Sequence, residues 1–173
     1  MEEGGSIQID ILSFAGKILA SRNFNRLPSI PGGNNTIFEV MFADSLTVDR
    51  LKHYVRARFT PSSFQLSNIT RDAYMFYFKP RDLRIPVPDI IAEKDYVNNE
   101  ITFSTTNFVM YLYIYVCGHS DHTLKLSNNY FHLSPGWKVK VKVLNKDEDH
   151  RLRNMRLCYK NVRDTYADNL INP

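Results

Sequence analysis

Residues 109–116 carry the sequence Val-Met-Tyr-Leu-Tyr-Ile-Tyr-Val, the clearest secondary-structure signal in the chain. Apolar and tyrosine side chains alternate here, and successive side chains of a β-strand point to opposite faces of a sheet. The stretch therefore predicts a β-strand with Tyr111, Tyr113 and Tyr115 on one face. The residues predicted to share its other face, toward a core, are Phe108, Met110, Leu112, Ile114 and Val116.

The same alternation recurs along the 173-residue chain, between clusters of turn-forming residues. Aromatic residues, which favour strands, make up 13% of the sequence, and long Ala/Leu/Glu/Lys helical stretches are absent. Short strands at this spacing are typical of a sandwich or barrel. We therefore predict an all-β protein with strands near residues 7–11, 18–23, 38–42, 54–59, 73–78, 101–103, 108–116, 129–133, 139–143 and 155–159.

A proline-containing segment divides these strands into two groups. Residues 79–88 include Pro80, Pro86 and Pro88, which have no backbone N–H for a sheet ladder and favour a stiff, extended connector. The chain is also long for one small sandwich. We predict two tandem immunoglobulin-like β-sandwich domains, residues 1–79 and 89–173, joined by a connector at 80–88.

Charge and hydropathy narrow the classes of partner. The formal net charge is +4 and the pI is near 9.0, but the basic residues are spread over the chain rather than gathered in one tract. No window holds eighteen apolar residues, and residues 1–5 resemble no signal peptide. These features favour neither a nucleic-acid partner nor a membrane partner.

The two cysteines, Cys117 and Cys158, are predicted to be free thiols. Alternation places Cys117 on the tyrosine face of its strand, and it places Cys158 opposite Leu157 and Tyr159. Both thiols would then point away from the core, where a bridge between two sheets would lie.

Each of three polar clusters can be interpreted either as a ligand-binding site or as an ordinary solvent-exposed part of the fold. Residues 117–122, Cys-Gly-His-Ser-Asp-His, contain metal-ligand types at a spacing typical of no metal motif, and they suit a polar hairpin tip. Residues 147–149, Asp-Glu-Asp, lack the glycine and alternating ligands of a calcium loop, and they suit a solvated turn. A third cluster consists of three alternating lysines, Lys138, Lys140 and Lys142. Their charge could keep a sheet strand from pairing with another molecule, or it could form an anion site.

No pattern in the sequence indicates catalysis. We find no strand-turn-helix serine motif and no glycine-rich phosphate loop, and no Asp or Glu lies in a context that would form the facing pair needed for glycoside hydrolysis. The chain is accordingly predicted to hold no catalytic, cofactor-binding or metal-binding residue.

Four aromatic residues are the candidate carbohydrate contacts: Tyr111, Tyr113, Tyr115 and Trp137. Aromatic faces stack on sugar rings, but tyrosines equally fill half-buried sheet faces, where the ring packs and the hydroxyl stays wet. Trp137 shares parity with Val139 and Val141, which favours burial, while its place beside a Pro-Gly turn allows the ring to lie over the sandwich end. Phe131 and Leu133 are predicted to anchor the second core.

Four segments, in order along the chain, resemble the C-terminal region of β-mannosidases. Residues 77–86, Tyr-Phe-Lys-Pro-Arg-Asp-Leu-Arg-Ile-Pro, resemble the junction between the last two immunoglobulin-like domains of those enzymes. Residues 128–136 are similar to an Asp-Asn-x-Phe-x-Leu-x-Pro-Gly stretch, with Asn128 in place of Asp. Residues 162–166 are similar to the closing Ser-Leu-x-Asp-x-Tyr stretch, and residues 10–19 resemble a hairpin of the preceding domain.

The resemblance implies glycoside hydrolase family 2, in which a jelly-roll domain, a sandwich, a (β/α)8 barrel and C-terminal sandwiches are joined. The two catalytic glutamates of the family lie in the barrel, and neither maps onto this sequence. A complete domain of the family would also begin upstream of residue 7, so the first sandwich is expected to lack one or two strands.

The resemblance thus implies a noncatalytic accessory region of a retaining exo-glycosidase that removes terminal β-D-mannose, with the catalytic barrel of the parent enzyme as its partner. A periplasmic, secreted or lysosomal parent fits it equally. Two alternatives stay open, a carbohydrate-binding module with an oligosaccharide partner and a cell-surface immunoglobulin-like adhesion module.

Overall fold

The computed structural model describes residues 3–28, 47–61, 71–118, 124–145 and 152–167. The all-β prediction is confirmed for this part of the chain. Beside its strands it contains two 3-10 turns, Pro80–Asp82 and Leu152–Asn154, and a single helical turn, Asp164–Ala167. The strands are β1 Glu3–Ser13, β2 Ile18–Pro28, β3 His53–Thr60, β4 Arg71–Phe76, β5 Ile90–Asp95, β6 Glu100–Thr105, β7 Val109–Val116, β8 Phe131–Leu133, β9 Val139–Lys142 and β10 Leu157–Lys160. The strand predicted near 38–42 lies outside the described residues.

The chain divides into two compact units. Residues 1–13 and 17–83 form the first unit, and residues 14–16 and 84–173 form the second. The immunoglobulin-like character of each unit, and the bounds 1–79 and 89–173, stay predictions.

The described strands of the first unit form one antiparallel sheet in the order β2-β1-β3-β4. The β1–β2 hairpin turns at Gly16, whose φ of 83° lies in the left-handed region that glycine adopts without a steric penalty. The strands predicted near residues 7–11 and 18–23 are therefore confirmed as the two arms of this hairpin.

One face of this sheet buries charge. Asp10 and Arg56 are opposite each other in the register and are 0% and 2% exposed. Arg56 Nη2 donates to Asp10 Oδ2 at 2.7 Å, Ser21 Oγ donates to Oδ1 at 2.6 Å, and Gln8 Nε2 donates to Oδ1 at 3.0 Å. Burial alone would raise the pKa of Asp10, but these hydrogen bonds outweigh it and lower that pKa. The alternating isoleucines of β1 lie on the opposite face.

The described strands of the second unit form a sandwich of two three-stranded sheets, β10-β7-β8 and β5-β6-β9. Both sheets supply side chains to one apolar core, as a sandwich requires. Leu133 of β8 and Val141 of β9 are both 0% exposed and belong to it, and Phe131 packs against it with its ring 6.2 Å from that of Phe103. The prediction that Phe131 and Leu133 anchor this core is confirmed for Leu133, while Phe131 is partly buried and packs against the core.

A β-bulge in β7 corrects the face predicted for its first residues. Val109 pairs with Leu133, but Leu112 pairs with Phe131, so two residues of β7 oppose only His132 of β8. The extra residue inverts the alternation, and Tyr111 within the bulge has a φ of 52°. Val109 therefore joins the core of the unit beside Leu112 and Ile114.

Phe108 and Met110 consequently leave the face that they were predicted to share with Leu112. The ring of Phe108 instead packs against Phe14 and His132, with centroids 5.6 Å away in both cases. Only the part of the predicted face that follows the bulge is correct.

The prediction of free thiols is wrong, because Cys117 and Cys158 form a disulfide. Cys158 of β10 is opposite Tyr115 of β7, and Cys117 lies two residues beyond Tyr115, so both cysteines share the tyrosine face and their Cα atoms are 5.2 Å apart. The face was predicted correctly. The bridge links neighbouring strands on the outside of one sheet rather than two sheets across the core.

Candidate functional site

Three stacked phenol rings stand on the outer face of the β10-β7-β8 sheet; we call them the tyrosine ladder. Tyr113 is the middle ring. Its centroid lies 4.6 Å from that of Tyr130, with 19° between the planes, and 5.5 Å from that of Tyr115, with 14° between the planes. Nearly parallel rings at these distances make favourable offset-stacked contacts.

Two devices hold the ladder. Tyr113 and Tyr115 are two residues apart on β7, so they project from the same face. Tyr130 comes from the segment before β8, where the Asn129 amide continues the sheet ladder: Ile114 N donates to Asn129 Oδ1 at 2.9 Å, and Asn129 Nδ2 donates to the Ile114 carbonyl at 3.0 Å. Tyr130 N also donates to Asn129 Oδ1, at 3.0 Å.

Tyr130 is the most exposed ring of the ladder, at 61%. Its φ of 59° is left-handed, a conformation that residues with a β-carbon rarely adopt. Desolvation by its neighbours, together with the hydrogen-bonded phenol of Tyr113, raises the pKa of Tyr130. Sequence alternation does not reveal this residue, because it precedes its strand and its backbone is not extended.

Lys160 of β10 contacts the ladder at Tyr115. Its Nζ lies 5.7 Å from the centroid of the Tyr115 ring, within the range of a cation–π contact. A cavity of about 210 Å³ lies beside the rings and is bounded by the ladder together with Ile114, Val116, Leu124 and Asn129.

Tyr111 stands apart from the ladder and pairs with His132. Their ring centroids are 4.3 Å apart, and Tyr111 N donates to His132 Nδ1 at 3.3 Å. Burial lowers the pKa of His132 to about 4, since the ring would lose its hydration on protonation. His132 is therefore neutral near pH 7 and carries its proton on Nε2, because Nδ1 is the acceptor.

Trp137 lies at the entry to β9, in the other sheet of the sandwich, and is 43% exposed. The four aromatic residues predicted as carbohydrate contacts thus occupy three places. Tyr113 and Tyr115 belong to the ladder, Tyr111 pairs with His132, and Trp137 is on the β5-β6-β9 side.

Two lysines in or just before β9 lie beside acidic residues of the same sheet. Lys138 Nζ lies 3.5 Å from Glu93 Oε2, and Lys142 is opposite Glu100 in the register. This mixture of charge weakens the case for an anion site.

The other polar clusters offer little for chemistry in the part of the chain that the structure describes. That part contains no group of three His, Cys, Asp or Glu side chains that could hold a metal ion. Cys117 is in the disulfide, while residues 119–122 and 147–149 lie outside it. The helices of the described ranges are too short to cross a membrane.

Comparison with known proteins identifies the fold. The sequence matches no family model, and it matches no curated protein. The structure matches a β-D-mannosidase from Dictyoglomus thermophilum with a TM-score of 0.59 and 14% identity, over 91% of this chain and 18% of the mannosidase. It also matches the exo-chitosanase CsxA of Amycolatopsis orientalis with a TM-score of 0.50 and 10% identity, over 95% of this chain and 22% of the chitosanase.

The resemblance to β-mannosidases predicted from the sequence is therefore confirmed at the level of fold. This chain spans about a fifth of the length of either enzyme.

Proposed function

We propose that this chain is a noncatalytic accessory region of a larger retaining exo-glycosidase of glycoside hydrolase family 2, and that the parent enzyme removes terminal β-D-mannose. The observation that carries the proposal is the asymmetry of the structural match, which takes in 91% of this chain but only 18% of a β-mannosidase. The four sequence segments that resemble β-mannosidases, in order along the chain, support the choice of that enzyme class.

Two arginine-bound carboxylates of the first unit have structural roles that fit a noncatalytic region. Asp10 is bound to Arg56 inside the first unit, and Asp72 accepts two hydrogen bonds from Arg58, at 2.7 and 2.5 Å. A retaining glycosidase needs two carboxyl groups about 5–5.5 Å apart that flank the scissile bond. An arginine-bound carboxylate is a poor general acid, because the cation favours its ionised form.

The enzymatic test is hydrolysis of an aryl β-D-mannoside by the isolated chain. We expect no turnover, because the catalytic pair is proposed to lie in another domain. Reproducible turnover that is lost on substitution of one Asp or Glu of this chain would contradict the proposal.

We further propose that the catalytic barrel of the same polypeptide contacts the apolar face of the first sheet. Ile11, Val55 and Met75 are opposite one another across β1, β3 and β4, and Ile9 and Ala57 continue the same face. Ile11 is buried and Val55 is partly buried, yet Met75 at the edge is 52% exposed. Met75 thus leaves an exposed apolar edge on this face, and exposed apolar surface next to a covered apolar face can mark an interaction site.

Oxidation of methionine by peroxide tests this contact within one sample. In the isolated chain Met75 should oxidise readily, while Met110 and Met155, which are 1% and 7% exposed, serve as buried controls. In the full-length enzyme Met75 should be protected as well as the controls are. Equal oxidation of Met75 in the two proteins would contradict the proposed contact.

A further inference from the structure

The tyrosine ladder leaves one ring face open to a ligand. Tyr113 is covered on both sides, by Tyr115 and by Tyr130, and the Lys160 ammonium lies over Tyr115. Tyr130 has one face against Tyr113 and is 61% exposed. Stacking on this sheet face is therefore restricted to the outer side of Tyr130.

The backbone of Tyr130 indicates that the ring is placed there at a cost. At a φ of 59° glycine would be the residue with the least strain, yet the position holds a large aromatic side chain that is mostly outside the core. Strained residues of this kind cluster at ligand-binding sites, where the surrounding contacts hold them in place. Here the holding contact is the hydrogen bond from Tyr130 N to Asn129 Oδ1.

The cavity beside the ladder has the size and chemistry for one small polar ring. Its volume of about 210 Å³ lies below the range of about 300–1,000 Å³ that is usual for drug-sized ligands. Its aliphatic lining residues are Ile114, Val116 and Leu124. Phenol hydroxyls both donate and accept hydrogen bonds, as the hydroxyls of a sugar do.

We propose that Tyr130 and this cavity form a binding subsite for a single neutral pyranose ring. The apolar C–H face of the pyranose stacks on the outer face of Tyr130, where the negative face of the aromatic ring attracts the partly positive C–H groups. Sugar hydroxyls at the edge of the stacked ring bond to the phenol of Tyr130 and to the side-chain amide of the adjacent Asn129, both of which line the cavity. The subsite stands independently of the proposed accessory role, and it excludes Trp137.

Titration of the 173-residue chain with methyl β-D-mannopyranoside and methyl β-D-glucopyranoside, followed by amide NMR shifts, tests the subsite. A site with one stacking contact should bind at least one of the two probes with a Kd of about 1 mM or a few times weaker. The shifted amides should include those of Asn129, Tyr130 and Phe131. No shift at these amides with either probe would overturn the proposal.

Three substitutions separate recognition from stability. Tyr130→Gly removes the ring and relieves the left-handed backbone, so it should leave folding intact and weaken binding about tenfold or more. Tyr130→Phe keeps the ring and should retain binding within about threefold. Tyr96→Gly is the matched control, because Tyr96 is 53% exposed in the β5–β6 turn, and it should leave the Kd unchanged. Equal losses in Tyr130→Gly and Tyr96→Gly, or full binding by Tyr130→Gly, would overturn the proposal.

Discussion

The second unit should lose stability as the pH falls from about 6.5 to about 4, because of His132. This imidazole packs between Phe108 and Tyr111, and its Nδ1 accepts the Tyr111 amide at 3.3 Å. Burial lowers its pKa from 6.5 to about 4. Protonation of Nδ1 would also break the hydrogen bond, since a protonated nitrogen no longer accepts.

The sign of the effect follows from proton uptake. Between pH 6.5 and 4 the unfolded chain binds a proton at His132 and the folded chain does not, so acid favours unfolding. The contribution of neutral His132 to the free energy of unfolding is fully present above the pKa of the unfolded state. It is completely lost below the pKa of the folded state. At about 1.4 kcal/mol per pH unit, the separation of the two pKa values corresponds to about 3 kcal/mol.

Urea denaturation at several pH values between 4 and 7 measures this loss. Trp137 is the sole tryptophan of the sequence and belongs to the second unit, so its fluorescence reports the unfolding of that unit alone. The reference is His132→Asn, whose side-chain oxygen replaces the Nδ1 acceptor without titrating. The difference in unfolding free energy between the two proteins should change by about 3 kcal/mol across this range. A difference that stays constant with pH would refute the reasoning.

Three further changes test the packing. The disulfide closes a loop between residues 41 apart, so replacing both Cys117 and Cys158 by Ala should destabilise the second unit by about 4 kcal/mol. A thiol titration that finds two free sulfhydryls in the unreduced protein would contradict the disulfide. Leu133→Ala, at a fully buried core position, should cost that unit about 2–5 kcal/mol in urea denaturation, and a loss below 1 kcal/mol would place Leu133 outside the core. Asp10→Asn should destabilise the first unit by about 3–5 kcal/mol, because it leaves Arg56 buried without its carboxylate. Calorimetry should then show the first unit melting earlier while the Trp137 transition stays in place, and a shift of the Trp137 transition instead would be inconsistent with this account.

Alternation along the sequence was enough to predict most strands and the heart of the second core. It succeeded where one side of a strand is apolar, as in residues 139–143, and where a glycine marks a turn, as at Gly16. It missed β5, Ile90–Asp95, because this strand has a mostly exposed, charged C-terminal half.

The remaining features depend on contacts between distant residues. The disulfide requires that β10 be the neighbour of β7, and strand order does not follow from alternation. The buried face of Asp10 depends on Arg56, which lies 46 residues further along the chain. The bulge at Tyr111 leaves no sign in an otherwise regular pattern, and Tyr130 gains its place in the ladder from the side chain of Asn129.

The central claim is that this chain is an accessory part of a larger β-mannosidase-like enzyme. Its most direct test is to isolate the native protein with an antibody raised against the chain and to determine its mass and its peptide sequence. We predict one polypeptide several times longer than these 173 residues, with a (β/α)8 barrel that carries two facing glutamates and releases β-mannose with retention of configuration. A native polypeptide no longer than this chain, or one joined to domains without such a barrel, would contradict the account.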